Sequence, residues 1–557
     1  MAHIKKYSAE IALLAVILLL YAAHSVYFNS SLVNYATDEI SSIHSSSMPE
    51  MAEAFTSGSP AKILAGIKDS KAYMMGYQPF CFAFAYAITL LFGRDWMLIN
   101  LIQNAFFMVI LLLSAYGLGR VIKDRNTGIL SALIIALLPL VYGTFTSFLI
   151  DFALMCLTPA AIYALYRSNL FKDTGWSVVF GLLCGWAMLV KYPFIAYITG
   201  PAVYCFLQSL LGVKNGNASS LRNSGTALLI TAAMMAPFYF YPDKLNYLLA
   251  GPSIEATGTP WYVLGNLKYF ALDTFSNQLS LPFFVAFTIG VFFFFRKEVN
   301  KHIRWIVALW ILVPGVIILL VPHWKSSRYF MPVLPAYALI SAVGLASLLN
   351  RKWGRILVVV VFAAGIMQFF LLTYPEGMVS KKYFENSIRG RFYPKWHGQY
   401  YHCDATLPLY LRKEHSEFLN TVISKLPQKS NKDKSGGVLT IFSPSMAINM
   451  FRYQPNRSFL WFQGIDVEVF HVFSFKHYNI EPQDIDLIWV IRNNNWRKPD
   501  TVNNPTYDDI RMDNAKLSNT PQVSEEDWGK FQELMKEFTK RELVFENNIC
   551  SVFFYSR

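Results

Sequence analysis

The chain has 557 residues, of which 54% are hydrophobic, 16% aromatic and only 15% charged. A soluble domain carries about 25% charged residues, so this composition excludes an ordinary soluble enzyme and a disordered chain alike. The formal net charge of +13, set among long apolar runs, points to a membrane protein with cationic loops rather than to a nucleic-acid binder.

The first apolar run, residues 11–28, follows Lys5 and Lys6 and lacks a small-residue cleavage site. It is long enough to span a bilayer, so it reads as an uncleaved helix with a cytoplasmic N-terminus. An amphipathic stretch at 39–55 and a short apolar run at 79–92 come next, both suited to the membrane surface. Further runs lie near 96–118, 127–148, 150–167, 176–190, 194–212, 226–242, 280–296, 304–322, 330–349 and 355–373. With the first, about eleven spans follow from the criterion of roughly 20 apolar residues.

The basic clusters fix an orientation. Arg120/Lys123/Arg125, Arg167/Lys172, Lys214/Arg222, Arg296/Lys297/Lys301/Arg304 and Arg351/Lys352/Arg355 all fall between runs. The positive-inside rule places each in the cytoplasm. Strict alternation then holds from residue 1 only if 79–92 does not cross. Segments 38–95, 149–151, 191–193, 243–279 and 323–329 are therefore expected outside.

After Tyr374 the composition turns polar, and residues 375–557 are expected to form an extracytoplasmic α/β domain behind a membrane domain of residues 1–374. Helical spacing is seen at 415–426 and 525–540. Strand patterns lie at 437–442, 485–491, 543–546 and 549–555, with Asn547-Asn548 as a hairpin turn between the last two. Cys403 and Cys550 stand in this domain, either as a disulfide or as two separate thiols. None of the six cysteines forms a CxxC pair.

The chemistry-bearing residues gather on the outer side. Asp38 and Glu39 follow the first run, Asp151 opens a run, Lys191 closes one, and Arg328 directly precedes another. Each has a plain reading, because a lysine or arginine at a span end ordinarily snorkels. Together they also describe an outward-facing anion site. A carboxylate can take a proton from an incoming hydroxyl while cations stabilise a departing phosphate. That set suits group transfer from a lipid phosphate. There is no P-loop, no nucleotide-binding glycine motif and no convincing metal set, so no cofactor is expected.

The order of motifs resembles the glycosyltransferases of the GT-C type. The nearest branch is that of the protein O-mannosyltransferases and the lipid A aminoarabinose transferase. The residues that carry the resemblance are Asp38-Glu39, Tyr77-Gln78-Pro79-Phe80, Gly119-Arg120, Asp151, the stretch from Gly185 to Lys191, and Arg328-Tyr329 through Pro332 to Pro335. It implies a polytopic helical GT-C fold with interfacial helices in the first outer loop. It further implies an inverting transfer of sugar from a polyprenyl-phosphate donor to a protein, glycolipid or cell-envelope acceptor.

By the same resemblance Asp38 is the general base, with Glu39 sharing the role or capping a helix. Lys191 and Arg328 contact the donor phosphate. Asp151 shapes the substrate pocket with Tyr329. The aminoarabinose transferases carry a phosphate-binding lysine where this chain has Gln78, which leaves Lys71 as an alternative contact and Gln78 in the pocket. His323 is either an acceptor contact or an ordinary interfacial histidine. The expected setting is a bacterial inner membrane with the C-terminal domain in the periplasm. A transporter or flippase of lipid-linked sugars is the competing reading, although no inverted repeat is visible.

Overall fold

A computed structural model of the chain describes residues 8–30, 48–70, 78–146, 148–213, 218–239, 271, 274–296, 299–320 and 327–373, and in the C-terminal part 436–442, 467–471, 487–493, 533–546 and 550–556. The helices form one compact unit and the strands belong to a second.

The helical elements are α1 (Ser8–Ser30), α2 (Met48–Thr56), α3 (Pro60–Asp69), α4 (Phe80–Phe92), α5 (Trp96–Ile122), α6 (Arg125–Ala136), α7 (Pro139–Thr144) and α8 (Ile150–Arg167). They continue with α9 (Thr174–Val190), α10 (Phe194–Val213), α11 (Ala218–Tyr239), α12 (Ser280–Phe294), α13 (Lys301–Leu320), α14 (Leu334–Leu348) and α15 (Lys352–Thr373). A π-turn at Thr274–Gln278 precedes α12, and a 3-10 turn at Ser327–Val333 leads into α14.

Six helical stretches among the described residues are long and apolar enough to cross a bilayer, and five apolar helices are shorter. α4, with 13 residues, reaches about 20 Å at 1.5 Å per residue, less than the roughly 30 Å hydrocarbon core. This is the run that the sequence reading kept at the membrane surface. Of the amphipathic stretch at 39–55, residues 39–47 lie outside the described residues and the remainder is helix α2.

The expected continuous run at 127–148 is instead two helices. Pro139 opens α7, and Leu138 before it is extended (φ −73°, ψ 133°), as the proline ring demands of its predecessor. A carbonyl freed near the break finds a side-chain donor: the Tyr21 hydroxyl donates to the carbonyl of Ala136. At the far end of α7, Asn104 Nδ2 donates to the carbonyl of Phe145 at 2.7 Å. In an apolar setting a broken helix persists only when such donors are supplied.

Burial sorts the helices into centre and periphery. Of the apolar 18-residue core of Arg328–Leu348, 94% is buried, and of Ile150–Arg167 78%, against 33% for those of Lys301–Leu320 and Lys352–Leu371. The outer helices turn Leu228, Leu229, Ile356 and Val359 outward, an apolar surface suited to lipid rather than water. At the crossing of α12 and α14 the backbones approach closely: a Cβ on Gly290 would stand 2.1 Å from the Ile340 carbonyl oxygen and one on Gly344 would stand 2.6 Å from Gly290 Cα. Small residues at a crossing let two helix backbones touch.

The strands are β1 (Gly436–Phe442), β2 (Val467–His471), β3 (Leu487–Asn493), β4 (Lys540–Glu546) and β5 (Cys550–Ser556), in the order β2-β1-β3-β5-β4. β2, β1 and β3 are parallel, whereas β5 pairs antiparallel with β3 and with β4. The β4–β5 pair is the expected hairpin, with a register shift between Leu543 and Phe545; its turn residues lie outside the described set. β2 was missed by the sequence reading. The helix expected to run to 540 ends before residue 538, and Lys540 already belongs to β4. The helix expected at 415–426 and Cys403, hence any pairing with Cys550, lie outside the described residues.

Replacing Gly290 by Ala inserts a methyl group into backbone at the α12–α14 crossing. We expect it to destabilise the helical unit by about 1–3 kcal/mol. A thermal melt of the purified protein in detergent checks this, with Gly225→Ala, where nothing lies within 4 Å of the new Cβ, as the control.

Candidate active site

The site is built on a helical hairpin. α8 has 18 residues and α9 has 17, and a tight turn at 168–173 joins them. Two antiparallel helices of matched length bring the start of the first level with the end of the second. Asp151 lies in the first turn of α8, and Lys191 caps the C-terminus of α9 in an extended conformation (φ −160°, ψ 130°). Their charges meet there: Lys191 Nζ lies 2.8 Å from both carboxylate oxygens of Asp151. Each charge also sits at the helix end whose dipole favours it, the acid at an N-terminus and the base at a C-terminus.

The pair is largely withdrawn from solvent, with the Lys191 side chain 12% exposed and that of Asp151 4%. An ammonium has three N–H donors, and two carboxylate oxygens engage at most two of them when each takes its own. The structure thus gives Lys191 a partner that orients it, and leaves room for one further acceptor. Removing one member of such a pair leaves a buried charge without its counterion, at a cost of about 3–5 kcal/mol.

A second group converges on the same place from α10 and the 3-10 turn. Tyr197 donates its hydroxyl to the carbonyl oxygen of Tyr329 at 2.5 Å. Arg328 Nη2 donates to the Tyr329 hydroxyl at 3.1 Å, and its guanidinium lies 5.0 Å from the centre of that ring. The other end of the turn is held by Trp310 of α13, whose Nε1 donates to the Pro332 carbonyl at 3.0 Å. Tyr197 is within electrostatic range of both Asp151 and Arg328 and so links the two groups.

α4 supplies a further wall. Gln78, just before Pro79, is fully buried, and Cys81 is within electrostatic range of Asp151. Phe80 packs edge-on against Trp186 of α9 at 5.1 Å, and Phe106 and Phe107 of α5 lie 6.1 and 6.3 Å from the same indole. An apolar aromatic wall therefore stands within one and a half turns of Lys191. Gly119 and Gly185 have a structural task. A Cβ on Gly119 would meet the Thr127 carbonyl oxygen at 2.7 Å, and one on Gly185 would meet Met234 Sδ at 2.5 Å.

The structure thus joins Asp151 to Lys191 directly and brings Arg328 and Tyr329 into their neighbourhood through Tyr197. Asp38, Glu39, Lys71 and His323 lie outside the described residues. Tyr197 and Trp310 were not singled out from sequence, because both donate to backbone carbonyls, which no residue pattern encodes. Among the described residues no group of three His, Cys, Asp or Glu side chains is placed to hold a metal ion.

This fold resembles that of known proteins. The family model for dolichyl-phosphate-mannose-protein mannosyltransferase matches residues 77–241, the segment that holds Gln78, Asp151, Lys191 and Tyr197. No curated protein sequence matches the chain. Among solved structures, ArnT from Cupriavidus metallidurans bound to undecaprenyl phosphate is 13% identical over 98% of each chain, with a TM-score of 0.57. The same protein in its apo state is 12% identical over 99% of this chain and 98% of that one, also with a TM-score of 0.57. An oligosaccharyltransferase from Archaeoglobus fulgidus is 13% identical over 85% of this chain and 67% of its own, with a TM-score of 0.46. At such identity the likeness to ArnT is one of fold. The chain is a multi-pass membrane protein whose architecture resembles the GT-C type.

Asp151→Asn should lower the melting temperature markedly, because it strands the Lys191 ammonium. The double replacement Asp151→Leu with Lys191→Met should recover most of that loss, since it removes both charges together. Thermal melts of the parent, Asp151→Leu, Lys191→Met and the double variant, read as a double-mutant cycle, measure the coupling.

Proposed function

We propose that the protein is an inverting glycosyltransferase that moves a sugar from a polyprenyl-phosphate donor to an acceptor at the outer face of the membrane. The observation that carries this reading is the buried Asp151–Lys191 pair, together with Arg328 on the turn that Tyr197 holds and the aromatic cluster around Trp186, inside a fold like that of ArnT. That relative is described as bound to undecaprenyl phosphate, a ligand with one anionic head and one long apolar tail. The site here offers the matching parts: cations for the head and Phe80, Phe106, Phe107 and Trp186 for the tail.

In the proposed reaction an acceptor hydroxyl attacks the anomeric carbon. The new C–O bond forms as the bond from that carbon to the phosphate oxygen breaks, and the configuration inverts. Asp38 takes the hydroxyl proton, with Glu39 beside it. Polyprenyl phosphate leaves with the electron pair, and Lys191 and Arg328 stabilise its growing negative charge, aided by Lys71. Asp151 keeps Lys191 in place and forms the pocket with Gln78, Tyr329 and His323. The eleven crossings, the cytoplasmic N-terminus, the setting in a bacterial inner membrane and the placing of residues 375–557 outside complete the reading. The acceptor is a protein, a glycolipid or another envelope glycan.

The test uses purified protein and a panel of polyprenyl-phosphate sugars with envelope extract as acceptor source, and mass spectrometry of the lipid products. One sugar should be lost with release of polyprenyl phosphate, and Asp38→Asn should reduce the rate at least a hundredfold, in line with loss of a general base. Arg328→Gln should slow transfer from the same donor. Movement of intact lipid-linked sugar across vesicles without release of polyprenyl phosphate would replace this reading with that of a transporter.

A further inference from the structure

A second polar cavity lies at the other end of α8. Asp151 and Arg167 stand at opposite ends of that helix, about 24 Å apart at 1.5 Å per residue. Around Arg167 is a cavity of roughly 220 Å³, lined by Leu165, Tyr166, Arg167, Asn169, Leu170, Cys205, Asn300, His302 and Ile306. That is ample for a phosphate group. The lining mixes polar and aliphatic side chains.

Its cationic group is held in position and is not neutralised. The Arg167 guanidinium lies 4.8 Å from the Trp176 ring and 5.8 Å from the Tyr163 ring, and its Nη1 donates to the Tyr163 hydroxyl at 3.1 Å. Among the described residues no carboxylate forms an ion pair with it. The neighbouring acid Asp173 is occupied as the N-cap of α9, accepting from Trp176 N at 2.9 Å. His302 meets the Tyr204 hydroxyl through Nδ1 at 2.9 Å. A tyrosine proton donated to Nδ1 leaves the other ring nitrogen as an N–H donor.

The rim is a built feature. Asn169, Leu170 and Phe171 are three successive non-glycine residues in the left-handed region, at φ 51°, 59° and 61°. Such a run is costly and persists only where its surroundings enforce it. Here Ser209 Oγ donates to the Leu170 carbonyl at 2.7 Å, Asn223 Nδ2 donates to that of Phe171 at 2.9 Å, and Phe171 N donates to Ser168 Oγ at 3.2 Å. On the helices that line the cavity, Phe206, Leu207 and Leu210 of α10 and Trp305 of α13 are exposed, an apolar surface suited to acyl chains.

We propose that this cavity binds the phosphate of an anionic membrane lipid, with Arg167 and His302 as donors, on the face opposite the Asp151–Lys191 pair. The basic residues mark that face as cytoplasmic, and basic pockets between helices on that side suit anionic headgroups. The site is separate from the transfer chemistry and stands whether or not the glycosyltransferase reading does.

The test is native mass spectrometry of the full chain in detergent, offered phosphatidylglycerol or phosphatidylcholine. Phosphatidylglycerol should be retained about tenfold better, because the choline cation of the other lipid offsets its phosphate. Arg167→Gln combined with His302→Gln should abolish the preference. Asn300→Asp, an exposed change at the rim that adds a like charge, should weaken it about fivefold even if the double variant does not fold. Inorganic phosphate, added without lipid, tests the other source. A thermal shift from phosphate alone that Asn300→Asp abolishes, with no lipid preference, would keep a phosphate site and overturn the lipid as its occupant. Equal retention of both lipids without such a shift, or a preference untouched by Asn300→Asp, would overturn the proposal.

Discussion

A lysine and an aspartate enclosed by apolar helices must find each other, and the consequences of that constraint extend through the helical unit. The pairing of Lys191 with Asp151 at 2.8 Å requires that α8 and α9 be of nearly equal length and that the turn between them be tight. It requires that α9 end at residue 190, so that Lys191 can leave helical geometry and reach across. Pro193, two residues on, and the short turn before α10 bring Tyr197 back beside the pair. Tyr197 then holds the 3-10 turn by the Tyr329 carbonyl, while Trp310 holds it by Pro332. Arg328 is thereby fixed in the same neighbourhood. One ion pair, one tyrosine and one tryptophan thus assemble two cations from two separate stretches of sequence.

The periodicity of the chain made most helices legible, because a run of apolar residues needs no partner to be recognised. Ile150–Arg167 was read with the same ends that the structure shows. The reading failed at Pro139, although Pro159 leaves α8 continuous. The stretch at 127–148 looked continuous by composition, yet Pro139 divides it, and the Ala136 carbonyl at the break takes its donor from Tyr21 of a distant helix. β2 was missed because only five residues carry it and the adjacent parallel strand that stabilises it lies elsewhere in the sequence.

The site was legible as parts but not as an arrangement. Asp151 and Lys191 were placed on one side by charge alternation alone, yet their pairing depends on helix lengths matched to within one residue. The sequence reading assigned Lys191 to a phosphate; the structure shows that Asp151 already engages it, so any phosphate there shares the ammonium with a carboxylate. Tyr197 was invisible because its role is to donate to a backbone carbonyl, which no residue pattern encodes.

The two ends of α8 have different characters. At Asp151 the charges are paired and shielded, an arrangement suited to holding one cation in a fixed direction. At Arg167 the charge is stacked on rings and open to a cavity. The most direct measurement of the central claim is an experimental map of the chain with polyprenyl phosphate bound. The account predicts phosphate density in contact with Lys191 Nζ and Arg328, the tail along the wall of Phe80 and Trp186, and the Asp151–Lys191 pair still formed. Phosphate density remote from both cations would contradict it.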